Sequence, residues 1–484
     1  MIGRAHVACL LSGMLPILTV PRADLGWLAW AVLVPALWLM RTAPTIKAAA
    51  HRGWWFGAGY LLAALYWTVP NIGPGLPLIA LVFGALWAGW GAAARWLIPD
   101  HPWAALAVLP SIWVTIELVR SLPLLGGPWG LLGASQWRHP TILSLASIGG
   151  IWLISLALVL VNTALVITWT TRDWKMAAII PAALLTGPVA FAMTDDPESE
   201  RDFRVALVQP GIVHNPEIRL DEGERITRAL PPVDLIVWGE SSIGYDLKRR
   251  TDLVARLRTT TPLLVNEDAR DATGKISKSA VLIRPDGTQD RYVKTRLVPF
   301  GEYIPLRSGF GWLSRISQAA GEDRVPGTGA STMTTDDVTF GPLVCFESTF
   351  PDLGRAVTRQ GAQVLVYQSS TSTFQNSWAP PQHAALAAVR AAETGRPAVQ
   401  AALTGVSAAF DARGRRLTWL DTSERGAVTA NLSVPDENHR TLYDKYGDYV
   451  AYLALMVTAG TVLVTLRRFD ARFAERDVDG HPVP

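Results

Sequence analysis

The stretch DRYVKTRLVPFGEYIP, Asp290–Pro305, reads as a strand that ends on a lysine, Lys294, and is led in by the turn Pro285-Asp286-Gly287. Two other strands end in the same way. DLIVWGESS (Asp234–Ser242) places Glu240 just after the strand Asp234–Trp238. VTFGPLVCFES (Val338–Ser348) places Cys345 at the end of a strand that starts near Val338. In α/β sheets, reacting groups gather at the carboxyl ends of strands. A carboxylate there can take a thiol proton as general base. An ammonium can favour the thiolate and stabilise an oxyanion. The thiolate is then a nucleophile for acyl transfer. Each residue also has a plainer explanation: Glu240 as a turn cap, Lys294 as a solvated edge-strand lysine, Cys345 as a small buried hydrophobe. Singly, those explanations prevail. Three such residues, each on its own strand end, favour chemistry.

Composition says where this chemistry sits. The chain has 484 residues, 49% of them hydrophobic and 18% charged, with a net charge of +3. Its mean hydropathy is +0.22. A chain divided between lipid and water fits these values. No Lys/Arg tract resembles a nucleic-acid arm, so no nucleic-acid partner is expected. Twenty tryptophans suit membrane–water interfaces. The two cysteines, Cys9 and Cys345, lie in unlike segments and make neither a zinc framework nor an expected disulfide. No metal or other cofactor is expected.

The sequence divides into parts. Residues 1–193 carry seven apolar runs, near 6–20, 24–40, 53–69, 76–98, 102–119, 143–170 and 175–192, each approaching the length of a membrane-crossing helix. The Gly-, Pro- and Trp-rich segment Ser121–Pro140 suits an interfacial or re-entrant loop. Charges return at TDDPESERD (Thr194–Asp202). From 194 to 446, strand patterns (FRVALVQ, DLIVWG, TPLLVN, SAVLIRPDG, VTFGPLVC, AQVLVYQ) alternate with helical ones at Glu217–Leu230, Thr251–Thr259, Pro351–Gln360 and Pro381–Thr394. This predicts one α/β domain. Residues 447–468 read as an eighth crossing, stopped by Arg467-Arg468, and 469–484 as a tail. The candidate inner loops carry Arg4, Arg41, Lys47, Arg52, Arg95, Arg172, Lys175, Arg467, Arg468, Arg472 and Arg476. The candidate outer loops carry only Arg22, Arg120 and Arg138. The positive-inside rule then puts both termini in the cytoplasm and the α/β domain outside.

The motifs V-W-x-E, K-x-x-L-V-P-F-G-E-Y-I-P and C-F-E, at Glu240, Lys294 and Cys345, resemble the signature of the nitrilase-like carbon–nitrogen hydrolase superfamily. With PFGEYIPLR and eight apolar runs around the domain, the chain is similar over essentially its whole length to the apolipoprotein N-acyltransferase family. The helix-like stretch Pro381–Gly414 also matches what that family carries after its nucleophile. The resemblance implies a four-layer α-β-β-α sandwich on an eight-helix transmembrane bundle. It implies Cys345 as nucleophile, Glu240 as base and Lys294 as the oxyanion-side cation. Glu302 would orient Lys294, and Glu347 would support the cysteine. Phe346 would line the acyl pocket, and Trp238 is a further candidate for substrate binding. Three departures stand out. Gly239 replaces the proline before the glutamate. Ser277-Lys278-Ser279 replaces Tyr-Asn-Ser. Ser370-Thr371-Ser372-Thr373-Phe374 replaces Asn-Asp-Ala-Trp-Phe.

The implied partners are a phospholipid acyl donor, a diacylglyceryl-apolipoprotein acceptor and the bilayer of a bacterial cytoplasmic membrane, with the protein a monomer. A membrane-tethered amidase and a non-catalytic scaffold are the competing readings. The segment Leu306–Gly329 holds Phe310, Trp312, Leu313 and Ile316 between glycines. It reads either as a core helix or as a lid that dips into lipid, in which Phe310 and Trp312 would meet substrate.

Overall fold

The computed structural model describes residues 3–125, 127–194, 198–270, 274–315, 321–335 and 337–478. The amino-terminal part is helical: α1 (Arg4–Thr19), α2 (Gly26–Arg41), α3 (Ile46–Ala64), α4 (Gly75–Asp100), α5 (Pro102–Arg120), α6 (Leu145–Thr171) and α7 (Trp174–Met193). Among the described residues, five helices are long and apolar enough to cross a membrane: α4 to α7 and Tyr449–Arg467 of the last helix. The other three expected crossings differ from these. Helices α1 and α2 are shorter, and α3 opens on Lys47, His51 and Arg52. The last helix, Tyr449–Val478, runs beyond the expected stop near residue 468. Its Leu453, Met456, Val457, Val462, Leu463 and Val464 are exposed. Lipid accommodates a row of bare apolar side chains that water would penalise.

Small residues set the helix spacing. A Cβ on Gly57 of α3 would lie 2.4 Å from the Gly84 carbonyl oxygen of α4, and one on Gly59 would lie 2.0 Å from that of Leu10 in α1. Backbones approach this closely only where side chains are absent. The segment 121–140, expected to be an interfacial or re-entrant loop, is partly buried in protein. It forms short turns that bury Trp129, Leu131, Leu132 and Trp137 beneath the α/β part.

That part has two six-stranded sheets. The first, in the order β12-β1-β2-β3-β4-β5, contains β1 (Ser199–Gln209), β2 (Leu235–Trp238), β3 (Leu263–Arg270), β4 (Ile276–Ile283), β5 (Gln289–Val293) and β12 (Gly426–Pro435). The second, β11-β10-β9-β8-β7-β6, contains β6 (Met333–Thr334), β7 (Thr339–Val344), β8 (Val364–Ser369), β9 (Ala398–Ala402), β10 (Ser407–Phe410) and β11 (Arg416–Leu420). Each has three parallel strands at its centre, β1-β2-β3 and β7-β8-β9, which align their carboxyl ends. The sheets meet where β1 touches β9 and β10 and where β4 touches β7. Strand alternation sorts the side chains. Leu235 and Val237 of β2 join the large core that also contains β7 and β8. Ile236 and Trp238 join a second core under α8 (Pro216–Arg228) and α9 (Thr251–Leu257). Helices α10 (Pro351–Arg359) and α11 (Ala379–Thr394) accompany the second sheet.

The helix-like stretch Pro381–Gly414 is helical only to Thr394. Gly395 takes φ +67 and ends the helix, and two alanine-rich strands follow, β9 and β10. Alanine favours helix, but here burial between neighbouring strands overrides local propensity.

The two parts are joined at a break in α6. Gly149 and Gly150 leave helical geometry, and Gly150, at φ +68, faces the Tyr443 ring where a Cβ would have stood. The freed Ile151 N–H donates to Glu393 Oε1 of α11 (2.9 Å). Trp152 Nε1–H donates to Asp448 Oδ1 (2.8 Å), and Asp448 also pairs with Arg355 of α10 (2.7 Å). The Gly59→Val substitution is expected to force α1 off α3, costing about 1–3 kcal/mol. Thermal unfolding in detergent should show a lowered midpoint.

Candidate active site

The aligned strand ends bring Glu240, Lys294 and Cys345 together. Lys294 follows β5 and is fully buried. Its Nζ lies 3.2 Å from Glu240 Oε1 and 2.9 Å from Glu302 Oε1. Glu302 returns from the loop after β5, where its Oε2 accepts the Val298 N–H (2.9 Å). Glu240 is held across the gap between the sheets, its N–H donating to the Ser369 carbonyl (3.1 Å). The Cys345 thiol donates to the Ser370 carbonyl (3.9 Å), and the Glu240 charge acts on it electrostatically.

Cys345 has φ +51, a left-handed conformation that costs a non-glycine residue energy. Such strain persists only where surrounding contacts over-determine it. Glu347 supplies them. Its Oε2 accepts the Val344 N–H (2.7 Å), and its Oε1 accepts from Tyr292 OH (2.7 Å), Thr295 N–H (2.7 Å) and Arg296 N–H (3.0 Å). The turn bearing Cys345 is thus fastened to the chain on either side of Lys294.

Charge balance sets the protonation states. Burial raises the Glu240 carboxyl, but the Lys278 and Lys294 ammoniums outweigh it and hold it well below the usual carboxylate range. Burial and the Glu240 charge push the Cys345 thiol up to about 12, against the two lysines. Burial disfavours the charged Lys294, yet Glu240 and Glu302 keep it protonated above the usual lysine range. The resting site is therefore thiol, carboxylate and ammonium. The carboxylate can receive the thiol proton when an electrophile arrives.

Lys278 was recorded in the sequence only as the residue in place of an asparagine. Its Nζ lies 2.7 Å from Glu240 Oε1 and 3.1 Å from Glu302 Oε1. The signal was present in the hairpin. The register that pairs Ile283 with Gln289 across the turn sets Lys278 opposite Lys294, whose N–H donates to the Lys278 carbonyl. His383 of α11 was also missed. It is buried, with Nε2 3.3 Å from Ser348 Oγ and Nδ1 3.4 Å from Ser369 Oγ, and burial lowers it to about 4. Ser369 Oγ is in turn 4.0 Å from Cys345 Sγ.

The remaining candidates part company. Phe346 is buried edge-on to Phe350 (5.3 Å), and both rings abut Gly127 of the buried 121–140 segment. Trp238 does not join the site. Strand alternation turns it to the outer face, where it packs on Gly223 of α8 and Nε1–H donates to Thr227 Oγ1 (3.0 Å). Phe310 and Trp312 are 42% and 52% exposed on short turns after Leu306, so they form no core helix. Ile316 lies outside the described residues. Among the described residues, no group of three or more His, Cys, Asp or Glu is placed to hold a metal ion.

Two of the three departures have a local cause. A Cβ on Gly239 would fall 1.9 Å from the Leu403 nitrogen, so the backbone of the β9 end fills the space a proline ring would need. Phe374, in the altered loop, packs 4.7 Å from Trp67, which lies 4.7 Å from Trp129. The loop is thereby anchored on the helical part.

Residues 204–437 match the carbon–nitrogen hydrolase family, and this strand-end cluster of carboxylate, ammonium and thiol lies within that match. A carbon–nitrogen hydrolase superfamily protein of Xanthomonas campestris aligns with 48% of this chain and 91% of its own, at 18% identity and a TM-score of 0.36. Residues 12–164 match the apolipoprotein N-acyltransferase N-terminal domain. The apolipoprotein N-acyltransferase of Geobacter metallireducens is 28% identical over 507 aligned positions, covering 96% of each chain. That of Sinorhizobium medicae is 29% identical, covering 89% of this chain and 90% of its own. Both domains are present in order, and the chain is similar over nearly its full length to these apolipoprotein N-acyltransferases.

Gly239→Pro is expected to damage this protein. The ring would displace the Leu403 N–H from the Ser369 carbonyl (2.8 Å) and shift the strand end beside Cys345. Acyl transfer should fall about tenfold or more, as small displacements of reacting groups do, while Gly239→Ala falls less. Turnover in detergent micelles checks this.

Proposed function

We propose that this protein transfers a fatty acyl chain from a membrane phospholipid to the α-amino group of a diacylglyceryl-cysteine at a lipoprotein amino terminus. The observation that carries the reading is the buried Glu240–Lys294 pair whose charges act on buried Cys345, on a chain with helices long and apolar enough to cross a membrane. In the first half-reaction Glu240 takes the Cys345 proton and sulfur attacks the ester carbonyl. Lys294 stabilises the oxyanion. The C–O bond then breaks, Glu240 returns the proton to the departing lysophospholipid alkoxide, and a thioester remains on Cys345. In the second, the α-amine attacks the thioester. A C–N bond forms, the C–S bond breaks, and the amine proton passes through Glu240 to sulfur. The first half-reaction leaves Cys345 acylated and the second restores the free thiol, so ping-pong kinetics follow. Glu302 orients Lys294, Glu347 holds the cysteine turn, and Phe346 lines the acyl pocket.

The architecture proposed for this activity is an α-β-β-α sandwich of residues 194–446 on the outer face of an eight-helix bundle. Residues 1–193 and 447–468 form the bundle, the protein is a monomer, and both termini are cytoplasmic. The distribution of Lys and Arg supports that orientation. The exposure of the large apolar Phe310 and Trp312 supports a lid that enters the bilayer.

Mass spectrometry of protein taken from membranes should find a fatty-acyl adduct on Cys345. Cys345→Ser should lose it, and should fail to restore lipoprotein N-acylation in a strain lacking that activity. Retention of acylation by Cys345→Ser would defeat the reading. Trp312→Ala should slow turnover of vesicle-borne phospholipid several-fold while leaving a short-chain soluble ester unaffected. Equal rates on both would return Trp312 to a packing role.

A further inference from the structure

Four buried charges, Glu240, Glu302, Lys278 and Lys294, meet at this site. Lys278 reaches both carboxylates from β4, 2.7 Å and 3.1 Å away, and its side chain is only 11% exposed. Lys294 reaches the same two oxygens from the neighbouring strand end. Like charges opposite each other on paired strands repel. This pair persists because two carboxylates lie between the ammoniums. Asp268 of β3 stands 4.0 Å from Lys278 Nζ and is itself engaged by Arg324 and by Ser241 Oγ. Cys345 stands at the facing strand end of the second sheet, its Sγ 4.0 Å from Ser369 Oγ, with His383 behind Ser369. With Lys278 present, two glutamates face two lysines. With a neutral amide in its place, two glutamates would share one lysine, and a buried pair of carboxylates with one counter-charge retains a proton.

We infer that Lys278 is a second cation of this site, a positioning residue that keeps Glu240 ionised and gripped at Oε1 so that the Cys345 thiol always meets a carboxylate. The inference rests on the reading of Cys345 and Glu240 as nucleophile and base.

The sign follows from the charges. A carboxyl held low by two ammoniums stays ionised as pH falls. Removing one ammonium raises it, and the base is then lost on the acidic side. Alkylation of Cys345 by iodoacetamide, counted by mass spectrometry on the full-length protein in detergent, reads this without any lipid substrate. Between pH 5 and pH 8 the unmodified protein should react at a nearly constant rate, because the proton passes within the Cys345–Glu240 pair. Lys278→Met and Lys278→Asn should each acquire an acid limb and lose about tenfold between pH 8 and pH 5. Lys278→Arg should keep the flat profile. A residue needed only for packing would scale the rate equally at every pH. The inference is overturned if either neutral variant stays flat, if the arginine variant acquires the limb, or if the unmodified protein already has it. Acyl-adduct formation on Cys345 is measured in parallel. Its absence with a flat alkylation profile would remove the acyltransferase reading and leave the role of Lys278 standing.

Discussion

The balance of charge in one buried knot governs this structure. Glu240, Glu302, Lys278 and Lys294 are all largely withdrawn from water, and each is paired with two partners of opposite sign. An isolated ion in such a place would cost several kcal/mol, of order 3–5 for a pair broken at one end. The four can be buried only together. The requirement reaches outward: Lys278 and Lys294 must sit opposite each other, which fixes the register of the β4–β5 hairpin, and Glu302 must return to them, which bends the loop after β5. The strand ends that carry Glu240 and Cys345 must then lie face to face, which fixes how one sheet sits on the other.

The thiol is placed by a different device. Its left-handed backbone stores strain, and Glu347 offsets that strain with hydrogen bonds from five backbone or side-chain donors on two segments. The Cys345 turn and the Lys294 strand end cannot move independently. Beneath them, Gly127 touches Phe346 and Phe350, and Trp129 lies parallel to His383 at 6.3 Å. The floor of the site is therefore contributed by the helical part. Its position relative to the sheets is held by Glu393 on the freed Ile151 N–H and by Asp448 between Trp152 and Arg355. Orientation of reacting groups across two structural parts needs such rigid joints.

Much of this was legible in the order of residues, and the failures have physical causes. Alternation and strand-end position were enough to expect Glu240, Lys294 and Cys345 at one edge. Trp238 was misassigned because strand periodicity ends at Gly239. The tryptophan follows the outward face, while the glutamate two residues on has already turned inward. The run Pro381–Gly414 misled because alanine's helical preference is local, whereas the pairing of β9 with β8 and β10 is not. Helix α3 drew attention by its apolar half and hid its charged start. Lys278 was visible as a departure but not as a partner, since its meaning lies in a register that must be counted across a turn.

The departures make most sense as mutual accommodation. Where the backbone of Leu403 presses on residue 239, no side chain fits, and the chain has glycine. Glycine loosens the connection to Glu240 that a proline would stiffen, because it restores the backbone freedom that proline removes. The glutamate is then held from the other end, by two ammoniums on one oxygen and by a backbone bond to Ser369. The free backbone at 239 and the cation at 278 therefore act on the same carboxylate, in opposite directions. A site described only by its three reacting groups would treat both changes as noise, whereas the contacts make them one adjustment.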